Sequence, residues 1–119
     1  TICVCGVPTF MAVEAAEQLA KEGISVDLLE VSTLKPMDVE TLVTSASKTG
    51  RVLTVEEHSI IGGLGGAVAE TLGRHCPARM DFVGIADTFA ESGPYIPLMA
   101  KYGISQEAIM RKARTLLAE

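Results

Sequence analysis

Three consecutive residues in this sequence are the best suited to catalysis or ligand binding. They are the carboxylates Glu56 and Glu57 and the histidine His58. They follow an apolar segment that is typical of a buried strand, and Asp87 follows another such segment later in the chain. In an open parallel sheet the ligand crevice lies beyond the carboxyl ends of the strands. The sequence therefore predicts that these four side chains gather at one edge of a sheet.

The types of these residues suit a metal ion or a general base. A metal site built from Glu56, Glu57, His58 and Asp87 is not supported, because no single element carries them at ligand spacing. His58 has no Ser or Cys nucleophile beside it in a recognisable motif, which favours a loop histidine bonded to backbone or to a partner. We therefore predict no catalytic residue and no metal ligand in this chain.

A glycine-rich turn follows the acidic pair, with Gly62, Gly63 and Gly65 ahead of a helical pattern. Such turns can hold phosphate on backbone amides, but the nucleotide-binding spacings are absent. No Lys or Arg occurs between Arg51 and Arg74, and the two preceding acids would repel an anion. The pattern favours a turn that packs closely and binds no cofactor.

The same turn is predicted to begin a helix near Gly63, where backbone amides lack partners and the positive end of the helix dipole lies. Glu56 or Glu57 is expected to satisfy these amides from within the chain. The glycines are expected to pack closely or to adopt positive φ. The turn is expected to face a neighbouring domain or subunit, with His58 as the best candidate for a contact outside the domain.

Four apolar segments alternate with helical patterns, which predicts a parallel sheet covered by helices on both faces. The strands are predicted at 2–6, 24–31, 51–55 and 80–86, the second buried on both faces. A stripe at Ala12, Ala16, Leu19 and Ala20 marks the first helix. Asp38 is a predicted N-cap and Gly50 a helix end. The sequence thus predicts one α/β domain over residues 1–119.

The composition excludes several classes of partner. Ten basic against fifteen acidic residues give a net charge of −5 without clustered positive charge, which argues against nucleic acid. No apolar run is long enough for a membrane span, and the start lacks the pattern of a secretory signal. Cys3, Cys5 and Cys76 are expected to be reduced, which fits the cytoplasm. A strand pattern at the first residue suggests a piece of a longer polypeptide.

Three stretches of the sequence together resemble a known family. The stretches are 26–38, 50–70 with its Glu-Glu-His-Ser and Gly-Gly-Leu-Gly segments, and 87–93 followed by Lys101-Tyr102-Gly103-Ile104. In order and spacing they are similar to the C-terminal domain of transketolase, a thiamine-diphosphate enzyme, and especially to transketolases split into two subunits. The same domain ends 1-deoxyxylulose-5-phosphate synthase and the beta subunits of 2-oxoacid dehydrogenases.

The resemblance implies a three-layer α/β/α domain whose parallel sheet carries an additional antiparallel edge strand. It also implies that thiamine diphosphate, Mg²⁺ and the activating glutamate belong to two other domains, which meet across a homodimer. No catalytic residue of the family can be assigned to a position in this chain. The expected partners are therefore the remaining transketolase domains or an N-terminal subunit. The alternative is a free-standing ligand-binding module that uses Glu57, His58 and Asp87.

Overall fold

A computed structural model describes residues 1–119 and contains four strands and five helices. The strands are β1 (Ile2–Val4), β2 (Leu28–Glu30), β3 (Arg51–Ser59) and β4 (Arg79–Ile85). The helices are α1 (Thr9–Lys21), α2 (Val39–Thr49), α3 (Leu64–His75), α4 (Tyr95–Lys101) and α5 (Gln106–Ala118). The sheet has the order β2-β1-β3-β4, and every pair of neighbouring strands is parallel. The antiparallel edge strand implied by the resemblance is not among these four.

Two apolar clusters lie on opposite faces of the sheet. One joins strand residues to α1, α4 and α5 and includes Leu19, Met99 and Ile109. The other packs α2 and α3 against the sheet through Leu42 and Val68. Burial of apolar side chains on both faces is what a parallel sheet requires. The predicted three-layer α/β/α architecture is confirmed.

Local capping signals are present where the sequence places them. The Asp38 side chain accepts a hydrogen bond from the Thr41 amide at 3.1 Å and begins α2. Gly50 ends that helix with φ 69°, a left-handed conformation that glycine adopts without a Cβ clash. Interactions within one turn of chain therefore fix both ends of α2.

The predicted burial of β2 and α1 is wrong in detail. Strand β2 spans only Leu28–Glu30 and is half-buried, because it lies at the edge of the sheet. The buried residues of α1 are Met11, Ala12, Ala15 and Leu19, instead of a stripe through Ala16 and Ala20. Alanine-rich helices have little amphipathic contrast, so packing against the sheet and α5 decides their rotation. No helix of the structure has the length and apolar character needed to cross a bilayer.

Candidate functional site

Glu56, Glu57 and His58 belong to β3, which continues to Ser59 beyond its predicted end. The pairing of β3 with β4 changes register between Val55 and Ser59, the mark of a bulge or similar irregularity. Glu56 points inward and is 1% exposed, whereas Glu57 and His58 are exposed. The three residues therefore differ in burial, with Glu56 in the interior and Glu57 and His58 on the surface.

Glu56 satisfies the first amides of α3. Its Oε1 accepts from the Leu64 amide and its Oε2 from the Gly65 amide, both at 2.8 Å. These donors lack partners within the helix, and a carboxylate there also favours the helix dipole. Of the two acids predicted for this role, the structure selects Glu56. The amides that a phosphate would need are occupied by the chain itself.

Close approach, more than positive φ, explains the glycines of the turn. A Cβ on Gly63 would overlap the Glu56 carboxylate and lie 2.8 Å from His58 Nδ1. A Cβ on Gly65 would lie 2.6 Å from Phe82 Cδ1. Only Gly62 in the turn has positive φ, at 79°, whereas Gly63 has φ −114°. Gly63 and Gly65 therefore meet the expectation through close packing, and Gly62 meets it through positive φ.

His58 lies on the surface next to the buried carboxylate. Its side chain is 62% exposed, and Nδ1 is 2.8 Å from the Ser59 carbonyl oxygen and 3.6 Å from Glu56 Oε1. The first distance is that of a hydrogen bond in which Nδ1 donates, whereas the second is too long for one. The exposed remainder of the ring is available to a neighbouring molecule.

Glu57 joins two other connections at this edge of the sheet. Its Oε1 accepts from the Val7 amide at 3.3 Å, and its Oε2 accepts from the Tyr95 hydroxyl at 2.9 Å. The pKa of Tyr95 is raised, mainly by partial desolvation of its hydroxyl and secondly by this hydrogen bond. The sequence does not predict these two hydrogen bonds, because contacts between residues so far apart in the chain leave no local pattern.

Asp87 does not join the other acids through any hydrogen bond or ion pair of its side chain. It follows β4 in the exposed segment, and its backbone has φ 35°, unusual for a residue other than glycine. No group of three or more His, Cys, Asp or Glu side chains is arranged to hold a metal ion. The sheet edge is thus acidic, but its acids are dispersed.

The residues at the carboxyl edge of the sheet do not fit thiamine diphosphate. A diphosphate needs free amide donors or cations, yet Glu56 occupies the α3 amides at 2.8 Å. The adjoining segment between Arg51 and Arg74 contains neither Lys nor Arg. Glu57, directed toward the β1–α1 connection, adds negative charge where an anion would have to approach.

Comparison with known proteins identifies the family. Residues 1–109 match the family model described as the C-terminal domain of transketolase. The chain is 45% identical, over 95% of its length, to a 6-deoxy-6-sulfo-D-fructose transketolase subunit of Clostridium sp.. It is 39% identical, over 95% of its length, to an apulose-4-phosphate transketolase subunit of Phocaeicola vulgatus. It covers 35% and 36% of these relatives, so it spans about a third of their length.

Solved structures agree with this assignment. A split-gene transketolase, described as an inactive beta4 tetramer, superposes with a TM-score of 0.92 at 44% identity. That comparison covers 98% of this chain and 38% of the other. A transketolase from Campylobacter jejuni has a TM-score of 0.65 at 20% identity, over 96% of this chain and 16% of that one, which shows the shared fold alone. The chain therefore belongs to the transketolase C-terminal domain family.

Proposed function

We propose that this chain is the non-catalytic C-terminal domain of a transketolase that transfers a two-carbon ketol unit between sugar phosphates. The family match and the transketolase subunits among its relatives support the reaction class. The observation that carries the non-catalytic role is the buried Glu56 carboxylate. It occupies the α3 amides at the glycine turn, so these donors are not available to a phosphate.

In the intact enzyme, thiamine diphosphate and Mg²⁺ would be bound by the other domains and would supply the chemistry of ketol transfer. The role of this chain is to stabilise the assembly and to flank the substrate approach through its carboxyl edge. His58 presents an exposed imidazole ring at that edge, and Asp87 adds an exposed carboxylate. Both are suited to contacts with another domain or with a substrate hydroxyl.

The proposed partners are the remaining transketolase domains or an N-terminal subunit, in a homodimer of the complete enzyme. The relatives described as transketolase subunits support association with further transketolase chains. We also propose a cytoplasmic location and a place among the sugar-phosphate conversions of the pentose phosphate pathway. The three unpaired cysteines support the location, because a reducing compartment keeps thiols free.

A chimeric enzyme tests this function. The matched segment of the Clostridium sp. transketolase subunit, with which this chain is 45% identical, is replaced by residues 1–119. The chimera, combined with its partner subunit, is assayed for ketol transfer from 6-deoxy-6-sulfo-D-fructose. We expect activity that depends on added thiamine diphosphate and Mg²⁺. A folded, assembled chimera without activity would contradict the proposal, and the parent enzyme is the control.

1-Deoxy-D-xylulose-5-phosphate synthase is the second candidate, because such a synthase of Heliobacterium modesticaldum is 38% identical over 98% of this chain. The chain covers 18% of that relative. A second chimera, built on this synthase, distinguishes the two candidates. Formation of 1-deoxy-D-xylulose 5-phosphate by that chimera, together with an inactive transketolase chimera, would favour the synthase.

A further inference from the structure

Exposed apolar side chains are concentrated at the carboxyl edge of the sheet. Six of the nine large hydrophobic residues that are exposed lie in the β1–α1, β3–α3 and β4–α4 connections or in the first helical turn that follows. We call these six residues the carboxyl-edge surface: Val7, Phe10, Ile61, Phe89, Tyr95 and Ile96. Exposed apolar side chains concentrated on one part of a protein mark a site of interaction more often than scattered ones do.

Hydrogen bonds hold the three connections together. The Glu57 carboxylate accepts from the Val7 amide at 3.3 Å and from the Tyr95 hydroxyl at 2.9 Å. The Ile60 amide donates to the Ile85 carbonyl oxygen at 3.0 Å, which joins the β3–α3 turn to the end of β4. The carboxyl-edge surface is therefore assembled within the domain before any partner binds.

Phe89 is the most exposed of these residues, at 99%. Two contacts with Glu91 anchor the loop that carries Phe89. The Glu91 amide donates to the hydroxyl of Tyr102, just after α4, at 3.1 Å, and the Glu91 carboxylate forms an ion pair with Lys101 at the end of α4. An aromatic side chain presented on an anchored loop loses little conformational freedom on binding. Aromatic residues of this kind are frequent anchors of protein interfaces.

The charges on the three connections indicate which partner fits. Glu57 and Asp87 have no cationic partner within the chain. A second copy meeting this one through the same surface would place acids against acids, which disfavours symmetric self-association. About two thirds of the length of each transketolase relative lies outside the segment matched here, and that remainder is available as a partner.

We propose that the carboxyl-edge surface docks onto the remaining part of the transketolase, with Phe89 inserted into an apolar pocket that is rimmed by Arg or Lys. This inference rests on the proposed function and deepens it by naming the interface. The apolar anchor supplies the buried area, and Glu57 and Asp87 set the orientation through charge.

Hydrogen exchange measures the docking directly. Amide exchange of residues 86–96 is compared between the free 119-residue chain and the Clostridium sp. chimera. We expect exchange in the chimera to be slower by about tenfold or more, because docking shields the exposed amides of this loop from water. Phe89→Ala should return the chimera to the rates of the free chain. Leu117→Ala is the matched control, since Leu117 is 51% exposed on α5 and should leave the protection unchanged.

A titration in trans keeps the test independent of how well the chimera folds. The labelled 119-residue chain is titrated with the Clostridium sp. subunit lacking its matched segment. Phe89→Ala should weaken binding by about tenfold or more, whereas Leu117→Ala should not. Asp87→Asn, which suits the positive φ at this position, should make binding less sensitive to salt.

The possible outcomes test the docking surface and the proposed function separately. Equal exchange rates in the free chain and in an active chimera would overturn the docking surface while leaving the proposed function intact. A protected loop in a chimera without activity would count against the proposed function and support the surface. Concentration-dependent self-association of the free chain that Phe89→Ala abolishes would identify a second copy as the occupant and overturn the proposal.

Discussion

The Glu56 carboxylate and the Gly65 amide meet at 2.8 Å in the interior, between the end of β3 and the first turn of α3. The other carboxylate oxygen accepts from the Leu64 amide at the same distance. One buried acid thus satisfies two helix amides, and its approach requires a residue without Cβ at position 63. The acidic pair and the glycine turn, which look like two separate motifs in the sequence, form one structural unit.

Glu56→Gln should destabilise the protein far more than Glu57→Gln. The amide side chain keeps one acceptor oxygen but turns an NH₂ group toward the second helix amide, and it removes the charge. We expect the free energy of unfolding to fall by about 1–3 kcal/mol for Glu56→Gln and by less than about 0.5 kcal/mol for exposed Glu57→Gln. Urea denaturation of both variants measures this difference. Equal losses would show that Glu56 is not the cap of α3.

Gly63→Val and Gly65→Val should each lower the free energy of unfolding by more than about 1 kcal/mol. The cause at Gly63 is overlap with the Glu56 carboxylate, and at Gly65 it is contact with the Phe82 ring. Gly66 is the control, because a Cβ there meets no heavy atom within 4 Å. Gly66→Ala should be neutral or stabilise α3 by about 0.5–1 kcal/mol. Thermal and urea denaturation test the series, and a stable Gly63→Val variant would contradict the close packing.

His58→Ala should leave the melting temperature of the 119-residue chain nearly unchanged, because the ring is 62% exposed. In the chimeric enzyme the same change should weaken assembly or raise the Michaelis constant of the sugar substrate. Calorimetry of the free chain and sedimentation of the chimera give the two readouts. If the variant unfolds the free chain and spares assembly, His58 serves the fold instead of an interface.

All three cysteines should titrate as thiols under denaturing, non-reducing conditions, since Cys3, Cys5 and Cys76 are free in the structure. In the native protein Cys3 should react slowest with a thiol reagent. Burial raises the pKa of Cys3 to about 12, and the thiolate is the reactive species. Time-resolved labelling followed by peptide mass analysis gives the order. A single thiol in the denatured count would reveal a disulfide.

The 119-residue chain should not bind thiamine diphosphate with Mg²⁺ at micromolar concentration. The α3 amides are already bonded to Glu56, and the neighbouring turn has no cation. Isothermal titration of the chain with thiamine diphosphate and Mg²⁺ measures this, with the chimeric enzyme as the positive control. Micromolar binding to the chain alone would show that it holds a cofactor site of its own.

The predicted elements agree with the structure most closely where the sequence signals are local. The caps at Asp38 and Gly50 act within one helical turn, and both are found in the structure. Alternating apolar segments were sufficient for the parallel α/β class, because a sheet buried on both faces needs apolar strands. The sequence predicts that β3 ends at 55, because the polar residues at 56–58 resemble a loop. In the structure, pairing with β4 extends the strand to Ser59.

The alternation of elements, the family resemblance and the presence of an acid close to the amides of α3 can all be inferred from the sequence. The three-dimensional contacts are needed to show that Glu56 caps the helix, that Glu57 bonds Val7 and Tyr95, and that Phe89 is exposed. Periodicity and capping depend on neighbours in the chain. Which of two adjacent acids turns inward depends on strand register and on contacts with residues up to 50 positions away, and no local pattern carries those interactions.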